Sequence, residues 1–318
     1  MVLILSAKDD FSTNDVINWL VFMDKKFIRI SEEDEIQFSK IEITNENIDL
    51  LIIINNKIEI KLSEINRFWY RRSSLNIFIE KLQKNTILNS KVNNHLFLEG
   101  HMLQIYFINE IKNKSLNIPS DNYLNKLIVL REAVELEINV PKTLVTNSKK
   151  ELLSFYSAHK KLITKNISPG VFITEQNKVL STITERVSLE DITHLPERFA
   201  YSLFQEEIKK MFELRIFFIE DNFYASAIFS QNDKKTEVDF RNYNFEKPNR
   251  TPPFKLPRSI EKKLNNLMKK IKLNSGSIDL IYSNDGKYYF LEVNPIGQFY
   301  QVSNPCNYYL EKKIAEFL

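Results

Sequence analysis

Short apolar runs and helix-like patterns alternate along the first part of the chain. Residues 2–5 are continuously apolar, as expected for a buried parallel strand. Residues 12–15 then offer capping side chains for a helix that carries apolar residues between positions 16 and 20. Further β-branched and apolar segments predict strands at residues 27–30, 36–43, 48–54, 57–62 and 65–70. The N-terminal part is therefore predicted to be an α/β domain.

Longer periodic segments follow, and they predict the remaining lobes. Apolar residues at near-helical spacing indicate a helix over residues 90–111, and a break at residues 119–121 precedes a second helix over residues 122–137. The later patterns predict a helix at 149–159 and strands at 161–165, 171–174, 179–186, 203–208 and 214–219, with a hairpin turn at 176–177. We predict three parts: an N-terminal domain (1–115), a central lobe (116–202) and a C-terminal lobe (203–318).

Composition and charge exclude several classes of protein. With 318 residues, 43% of them hydrophobic and 27% charged, the chain has enough apolar material for packed cores, unlike a disordered or fibrous protein. The 44 basic and 41 acidic residues are spread along the chain, which argues against a nucleic-acid partner. Cys306 is the single cysteine, so no intrachain disulfide forms and a reducing compartment is favoured. Because no apolar run approaches about 20 residues, we expect a cytoplasmic protein with no membrane partner.

The strongest chemical pattern lies in residues 276–298, which hold three of the five glycines. Asp285 and Gly286 predict a two-residue type I′ turn between two apolar runs. Counting back from that turn places Asp279 opposite Glu292, with Asn294 on the same face. Opposed carboxylates repel unless a cation lies between them, and magnesium prefers one or two carboxylates plus phosphate oxygens. The pattern predicts a nucleotide-bound magnesium; a surface hairpin without metal is the alternative, and a longer turn would separate the carboxylates.

Other polar residues are candidates for the same ligand. Lys126 lies early in a predicted helix, Lys165 ends a predicted strand, and residues 205–208 form a polar end to an apolar strand. Alternation along the next strand places Glu213 and Arg215 on one face. Asp239 and Arg241 repeat this spacing and could place a guanidinium on phosphate or carboxylate oxygens, with a surface ion pair as the alternative.

Taken in order, these residues resemble the ATP-grasp ligases. The resemblance runs through Lys126, residues 140–141, Lys165, residues 205–208 and 213–215, Asp279 and residues 292–295. It implies an α/β (α+β) ATP-grasp fold with an N-terminal pre-ATP-grasp lobe, and a nucleotide held between the central and C-terminal lobes. It also implies roles for individual residues: Lys126 and Lys165 on the phosphates, Gln205, Glu206, Glu207 and Ile208 on adenine, Glu213 on the ribose, Arg215 on the phosphates or acyl phosphate, and Asp279, Glu292 and Asn294 on magnesium.

A narrower match covers nearly the whole chain. Residues 12–20, 69–72, 239–241 and 291–298 resemble the graspetide (microviridin-type) peptide ligases, especially the grasp-with-spasm maturases. Members join Asp or Glu side chains of a ribosomally made precursor peptide to Thr or Ser hydroxyls, or to Lys amines. The resemblance implies ATP and Mg²⁺ as cofactors, a precursor peptide with leader and core segments as partner, and a homodimer. It further implies catalytic roles for Arg215, Asp239 and Arg241.

Several alternatives stay open from the residues alone. The chain could be an ATP-grasp ligase that adds an amino acid to a small molecule or a protein tail, or a peptide-binding partner that has lost catalysis. Residues 69–72 could serve domain contact or peptide contact, and the hairpin within residues 171–186 could receive the leader segment. Residues 168–170 hold one glycine where many ATP-grasp enzymes have a glycine-rich phosphate loop.

Overall fold

The computed structural model describes residues 1–83, 86–168, 170, 172–175, 178–231 and 248–318. These residues form two compact units, Met1–Asn122 with Tyr309–Leu318, and Tyr123–Tyr308. Both units contain helices and sheets, so the predicted mixed α/β class is confirmed. The division into three parts at residues 115 and 202 stays a prediction.

The first unit is built on a parallel sheet whose central strand, β1 (Val2–Ser6), is completely buried. Helix α1 (Phe11–Phe22) follows β1 as predicted and leads to β2 (Phe27–Ile30), which pairs with β1 in parallel and completes a βαβ unit. The other strands of this unit are β3 (Glu35–Ile43), β4 (Ile48–Ile54), β5 (Ile58–Lys61), β6 (Arg67–Arg71), β7 (Asn76–Ile77) and β8 (Ser115–Leu116). They form the sheets β2-β1-β6-β8 and β5-β4-β3-β7.

Helix α1 begins earlier than predicted. Its N-cap is Asp10, whose side chain accepts a hydrogen bond from the backbone N of Thr13 at 3.2 Å. The expected capping hydroxyls have other partners: Ser12 donates to Asp10, and Thr13 pairs with Ser6 at 2.9 Å. A carboxylate ahead of the hydroxyls therefore caps the helix.

Two further helices complete the first unit. Helix α2 (Ile87–Ile111) is capped by Thr86 and confirms the predicted long helix. The C-terminal helix, Leu310–Phe317, packs against α1, where the Lys312 ammonium lies 5.3 Å from the centre of the Trp19 ring. Single 3₁₀ turns occur at Leu62–Glu64, Lys112–Lys114 and Pro119–Tyr123. Among the helices of the described residues, none has the length and apolarity needed to span a bilayer.

The second unit begins with helix α3 (Lys126–Glu135), which is shorter than the predicted helix over residues 122–137. The side chain of Asn125 caps it, accepting from the backbone N of Leu127 at 2.9 Å and of Ile128 at 3.2 Å. The cap fixes the start of the helix, so Lys126 is its first residue.

An antiparallel sheet with two covering helices follows α3. Its elements are β9 (Thr143–Ser148), α4 (Lys149–His159), β10 (Leu162–Lys165), β13 (Glu185–Val187), α5 (Leu189–His194) and β14 (Arg198–Glu206), and the separate hairpin between them is β11 (Phe172–Glu175) with β12 (Lys178–Ser181). The strand order is β13-β10-β14-β9, with a core of Leu152, Leu162, Ile192 and Phe204. The predicted hairpin is confirmed as β11–β12, but its second strand ends at Ser181 instead of residue 186, and Glu185–Val187 belongs to the other sheet; its turn at residues 176–177 lies outside the described residues.

A five-stranded antiparallel sheet carries the residues of chemical interest. Its elements are β15 (Lys210–Ile219), β16 (Asn222–Ile228), β17 (Pro253–Phe254), α6 (Arg258–Lys270), β18 (Ser275–Ser283), β19 (Tyr288–Asn294) and α7 (Tyr300–Cys306). The strand order is β17-β16-β15-β18-β19, and α3 and α6 pack on one face against buried residues such as Leu214, Ile278 and Phe290. Because side chains alternate, the residues between these core positions lie on the opposite face.

Candidate functional site

The hairpin of β18 and β19 brings together the two predicted metal carboxylates. Asp279 pairs directly with Glu292, as predicted. The turn, however, is not the predicted two-residue type: Ser283 N bonds to Lys287 O at 2.9 Å, so residues 284–286 form a three-residue loop. Gly286, with φ of 76°, supplies the left-handed conformation that this loop requires.

A β-bulge compensates for the longer turn. Near the turn Leu280 pairs with Phe290, and the register shifts before Asp279 pairs with Glu292, which leaves Leu291 as the extra residue. Without the bulge, the strand pairing seen near the turn would continue unchanged. It would place Asp279 opposite Leu291 and turn Glu292 towards the core side. The bulge therefore makes the carboxylate pair possible.

Two cations of the second unit already contact these carboxylates. The Nη1 atom of Arg215 donates to both carboxylate oxygens of Asp279 at 2.7 Å, and the two residues are register partners on β15 and β18. The Nζ atom of Lys126 lies 3.0 Å from Glu292 Oε2 and donates to the carbonyl oxygen of Asn166 at 3.0 Å. These side chains are at most about one-fifth exposed, so little water screens the pairs.

A cavity of about 310 Å³ lies beside the carboxylates within the second unit. Its lining combines charged groups with apolar surface, as expected of a site for a ligand with a flat apolar part and a charged tail. The predicted residues that line it are Lys165, Gln205, Glu206, Glu207, Ile208, Glu213, Asp279 and Glu292. Most of the predicted nucleotide site thus surrounds one cavity.

The backbone of the polar segment 205–208 takes part in hydrogen bonds within the second unit. The N of Glu206 donates to the carbonyl oxygen of Lys142 at 3.0 Å, and the N of Glu207 donates to that of Lys161 at 2.9 Å. The Glu206 side chain also accepts from the N of Lys142 at 2.9 Å. Two backbone N–H groups of the segment therefore hold strand ends together.

Gln205 is the most buried member of this segment, with no exposed surface. Its Nε2 donates to Thr143 Oγ1 at 2.8 Å, and the hydroxyl of Thr143 donates to the carbonyl oxygen of Pro141 at 2.8 Å. This chain of donors fixes the amide orientation. Within the part of the chain that the structure describes, the Oε1 atom of Gln205 is buried without a hydrogen-bond partner, which is costly unless a ligand supplies a donor.

Five predicted residues lie outside the cavity lining or outside the described chain. Lys126 and Arg215 reach the site through Glu292 and Asp279, while Asn294 lies two residues beyond Glu292 on β19, opposite Ser277. Asp239 and Arg241 fall in residues 232–247, outside the described residues. Their assignment to a reacting peptide stays a prediction.

Several cavity residues were not predicted. Ile163 and Ile281 lie two residues from Lys165 and Asp279 on the same strand faces, so alternation could have identified them as apolar walls. Leu291 joins the lining beside Glu292 because of the bulge, which leaves no mark in the sequence pattern. Lys210 was also missed, although its ammonium contacts Glu213.

The segment after β19 approaches β18 closely. A Cβ atom added to Gly297 would lie 2.1 Å from Ser277 Oγ and 2.3 Å from Ser277 N. Only glycine permits this approach, so Gly297 lets the chain that leaves Glu292 fold back across the start of β18.

Comparison with known proteins gives matches among solved structures. No protein-family model and no curated protein matches the sequence. The chain is similar to a RiPP-associated ATP-grasp ligase from Chryseobacterium gregarium, solved with ADP and a leader and core peptide, with a TM-score of 0.80 and 23% identity over 99% of this chain and 94% of that chain. It is also similar to the macrocyclase MdnC from Microcystis aeruginosa MRC, bound with precursor peptide MdnA, with a TM-score of 0.75 and 26% identity over 100% of this chain and 99% of that chain.

A third similar structure contains magnesium. The ATP-grasp ligase PsnB, complexed with a phosphomimetic variant of its minimal precursor, Mg and ADP, matches with a TM-score of 0.71 and 15% identity over 99% of this chain and 96% of that chain. These matches confirm the predicted resemblance to ATP-grasp peptide ligases. The expected cofactors, ATP and Mg²⁺, agree with the nucleotides and the metal in the similar structures.

Proposed function

We propose that this chain, which has the ATP-grasp fold, is an ATP-dependent macrocyclising peptide ligase. It activates Asp or Glu side chains of a ribosomally made precursor as acyl phosphates. It then joins each acyl group to a Thr or Ser hydroxyl as an ester, or to a Lys amine as an amide, and releases ADP and phosphate. The observation that carries the proposal is the pair Asp279–Glu292 at the edge of the cavity, with Arg215 and Lys126 as its counter-ions. The match to MdnC over the full chain supports the peptide as substrate.

The donor set fits magnesium bound together with a nucleotide. Asp279 and Glu292 supply two carboxylates on one face, and Asn294 on β19 is the proposed third ligand. Among the described residues no cluster of three or more His, Cys, Asp or Glu could hold an ion alone. Two carboxylates plus phosphate oxygens are what magnesium prefers. When bound, the metal neutralises phosphate charge and polarises the phosphoryl group.

The protein groups bind, orient and neutralise. We assign Lys126, Lys165 and Arg215 to the phosphates, residues 205–208 to the adenine and Glu213 to the ribose. Gln205 supports the adenine assignment, because its buried Oε1 needs a donor such as the 6-amino group. A peptide carboxylate is a poor electrophile until phosphorylated, so catalysis consists mainly of positioning and charge stabilisation. We assign Asp239 and Arg241 to the peptide core, as the sequence resemblance implies.

Mass spectrometry of the precursor tests the proposal. The chain is incubated with Mg-ATP and the small peptide encoded beside its gene, and we expect the loss of one water for each cross-link. Glu292→Gln should abolish this loss because it removes one of the opposed carboxylates. Asp285→Asn is the matched control, since Asp285 lies on the same hairpin, about half exposed and paired with Lys287, and should leave cross-linking intact.

Other outcomes of the same experiment identify the alternatives. An unchanged peptide mass, with ATP consumed when free amino acids are added, would favour an amino-acid ligase. Peptide binding without any ATP use would favour a partner protein that has lost catalysis. Resistance of each new bond to mild base separates an amide from an ester.

We further propose that the chain forms a homodimer through α2. This helix exposes a row of large apolar side chains, of which Leu98, Met102 and Ile105 are 46–56% exposed and lie at helical spacing. A second copy of the chain would bury this row, and light scattering after size exclusion should report a dimer. Met102→Glu should give a monomer, whereas Gln104→Glu, about 200° around the helix, should not. A monomeric parent protein would exclude the dimer.

We place the protein in the cytoplasm, where ATP is available and Cys306 stays reduced.

A further inference from the structure

A buried ion pair lies at the edge of the cavity, between Lys210 and Glu213. The Lys210 ammonium contacts Glu213 Oε1, and both side chains are less than one-tenth exposed. Both residues line the cavity. Removing the two charges of such a pair from water costs free energy. A buried pair in a ligand cavity therefore needs a structural or functional reason.

The backbone is distorted in a way that creates this pair. Residues three apart in a regular strand point to opposite faces, so Lys210 and Glu213 should not meet. The pairing of β15 with β18 shifts between Lys210 and Phe212, which leaves Met211 as an extra residue. This β-bulge re-aims Lys210 onto the face of Glu213, and bulges beside binding sites commonly redirect side chains in this way.

A second group contacts the same carboxylate oxygen. The hydroxyl of Ser230, which has no exposed surface, donates to Glu213 Oε1 at 3.2 Å. Lys210 and Ser230 therefore approach one oxygen from two different parts of the chain. Two contacts on a single oxygen restrict rotation of the carboxylate at the cavity edge.

We propose that Lys210, supported by Ser230, is a positioning residue that orients Glu213 to accept hydrogen bonds from the two hydroxyls of a ribose, and thereby sets the preference of the cavity for ribonucleotides. This inference rests on the proposed nucleotide-binding function and adds a specificity determinant to it. A fixed carboxylate binds a diol well, and it forms one hydrogen bond fewer with a sugar that lacks one of the two hydroxyls. Without Lys210 the carboxylate loses a buried counter-ion and one of the contacts that orient it, so the preference for the ribose falls.

Calorimetric titration of the full chain with Mg-ATP, 2′-deoxy-ATP and 3′-deoxy-ATP tests the inference. The parent protein should bind ATP at least about tenfold more tightly than one of the deoxy forms. Lys210→Met should weaken the binding of ATP much more than the binding of the discriminated deoxy form. The ratio of the two dissociation constants, deoxy form over ATP, should then approach one. Lys210→Arg should restore most of the ratio. Lys269→Met, which breaks an exposed pair with Asp221 at 3.1 Å, is the matched control and should leave the ratio unchanged.

Two further variants keep the test decisive if Lys210→Met is unstable. Ser230→Ala removes one contact to Glu213 Oε1 and should lower the ratio partly. Glu213→Gln should lower the ratio to about one. Adding Lys210→Met to Glu213→Gln should lower the ratio no further. Unfolding midpoints of all variants separate a loss of folding from a loss of selectivity.

The outcomes separate this inference from the proposed function. A parent ratio near one, or a Lys210→Met ratio equal to the parent value, overturns the role of Lys210 even when the peptide is cyclised. The expected ratios with an unchanged peptide mass support Lys210 and overturn the macrocyclase. A parent protein that binds no ATP overturns both.

Discussion

Arg215 donates from a single nitrogen, Nη1, to both carboxylate oxygens of Asp279 at 2.7 Å. A parallel contact joins Lys126 to Glu292 at 3.0 Å. The second unit therefore supplies its own counter-ions to the two carboxylates assigned to magnesium. A nucleotide with its metal would replace these contacts by phosphate on the cations and metal on the carboxylates, which keeps the charges balanced throughout.

The first prediction concerns divalent metal without nucleotide. Because Lys126 neutralises Glu292, the parent protein should bind Mn²⁺ weakly when no nucleotide is present. Lys126→Met leaves the carboxylate pair with one cation fewer, so Mn²⁺ affinity should rise about tenfold. Electron paramagnetic resonance of free Mn²⁺ measures this directly. Lys112→Met, on a residue of the first unit, is the control, and equal affinity in all three proteins would show that Lys126 does not compete with metal.

The second prediction concerns the cost of breaking the Arg215–Asp279 pair. Both side chains are about one-tenth exposed, so Arg215→Met removes from a buried carboxylate the cation that lies 2.7 Å away. The free energy of unfolding should fall by about 3–5 kcal/mol, as measured by urea denaturation. Adding Asp279→Asn should recover a large part of the loss, because the buried charge is gone. Additive losses in the double variant would mean that the pair is not coupled.

The third prediction compares two glycines of the same segment. Gly297→Ala places a methyl group 2.1 Å from Ser277 Oγ, whereas at Gly286 the nearest atom would be 3.7 Å away. Gly286→Ala should therefore cost only the left-handed strain, about 1 kcal/mol, while Gly297→Ala should cost several times more. Scanning calorimetry gives the order of the two midpoints. A smaller loss for Gly297→Ala would mean that the segment after β19 can move aside.

The fourth prediction concerns the start of helix α3. Asn125 caps the two donors that follow Lys126, so Asn125→Ala should lower the free energy of unfolding by about 1 kcal/mol. Asn125→Asp keeps an acceptor at the same position and should retain most of the stability. Equal losses for the two variants in urea denaturation would argue against the cap.

The sequence pattern predicted that Asp279 and Glu292 pair, but it did not predict the bulges that determine their neighbours. The pairing of Asp279 with Glu292 was predicted correctly, although two differences compensate: a turn one residue longer and a bulge at Leu291. A bulge depends on how the strands twist and pack, and the alternation of side chains does not reveal it. For the same reason Lys210 was missed, since regular alternation places it on the face opposite to Glu213.

Sequence patterns predicted correctly those elements that depend mainly on residues close together in the chain. Buried runs and hairpin residues identified β1, β18 and β19, because each depends on nearby residues alone. The contacts of Arg215 and Lys126 join residues far apart in the chain, so they follow only from the folded arrangement. The predicted start of α1 was wrong because the side chains of Ser12 and Thr13 bond to groups other than the N-terminus of the helix.

The C-terminal helix belongs to the first unit, and this has a consequence during synthesis on the ribosome. Lys25 donates to the carbonyl oxygen of Ala315 at 2.8 Å, and Arg67 donates to that of Phe317 at 3.2 Å. Residues 123–308 are translated between these partners. At typical rates of translation the first unit waits roughly 10–40 s for its closing helix. During that interval the face of α1 that carries Trp19 is not yet covered by the C-terminal helix.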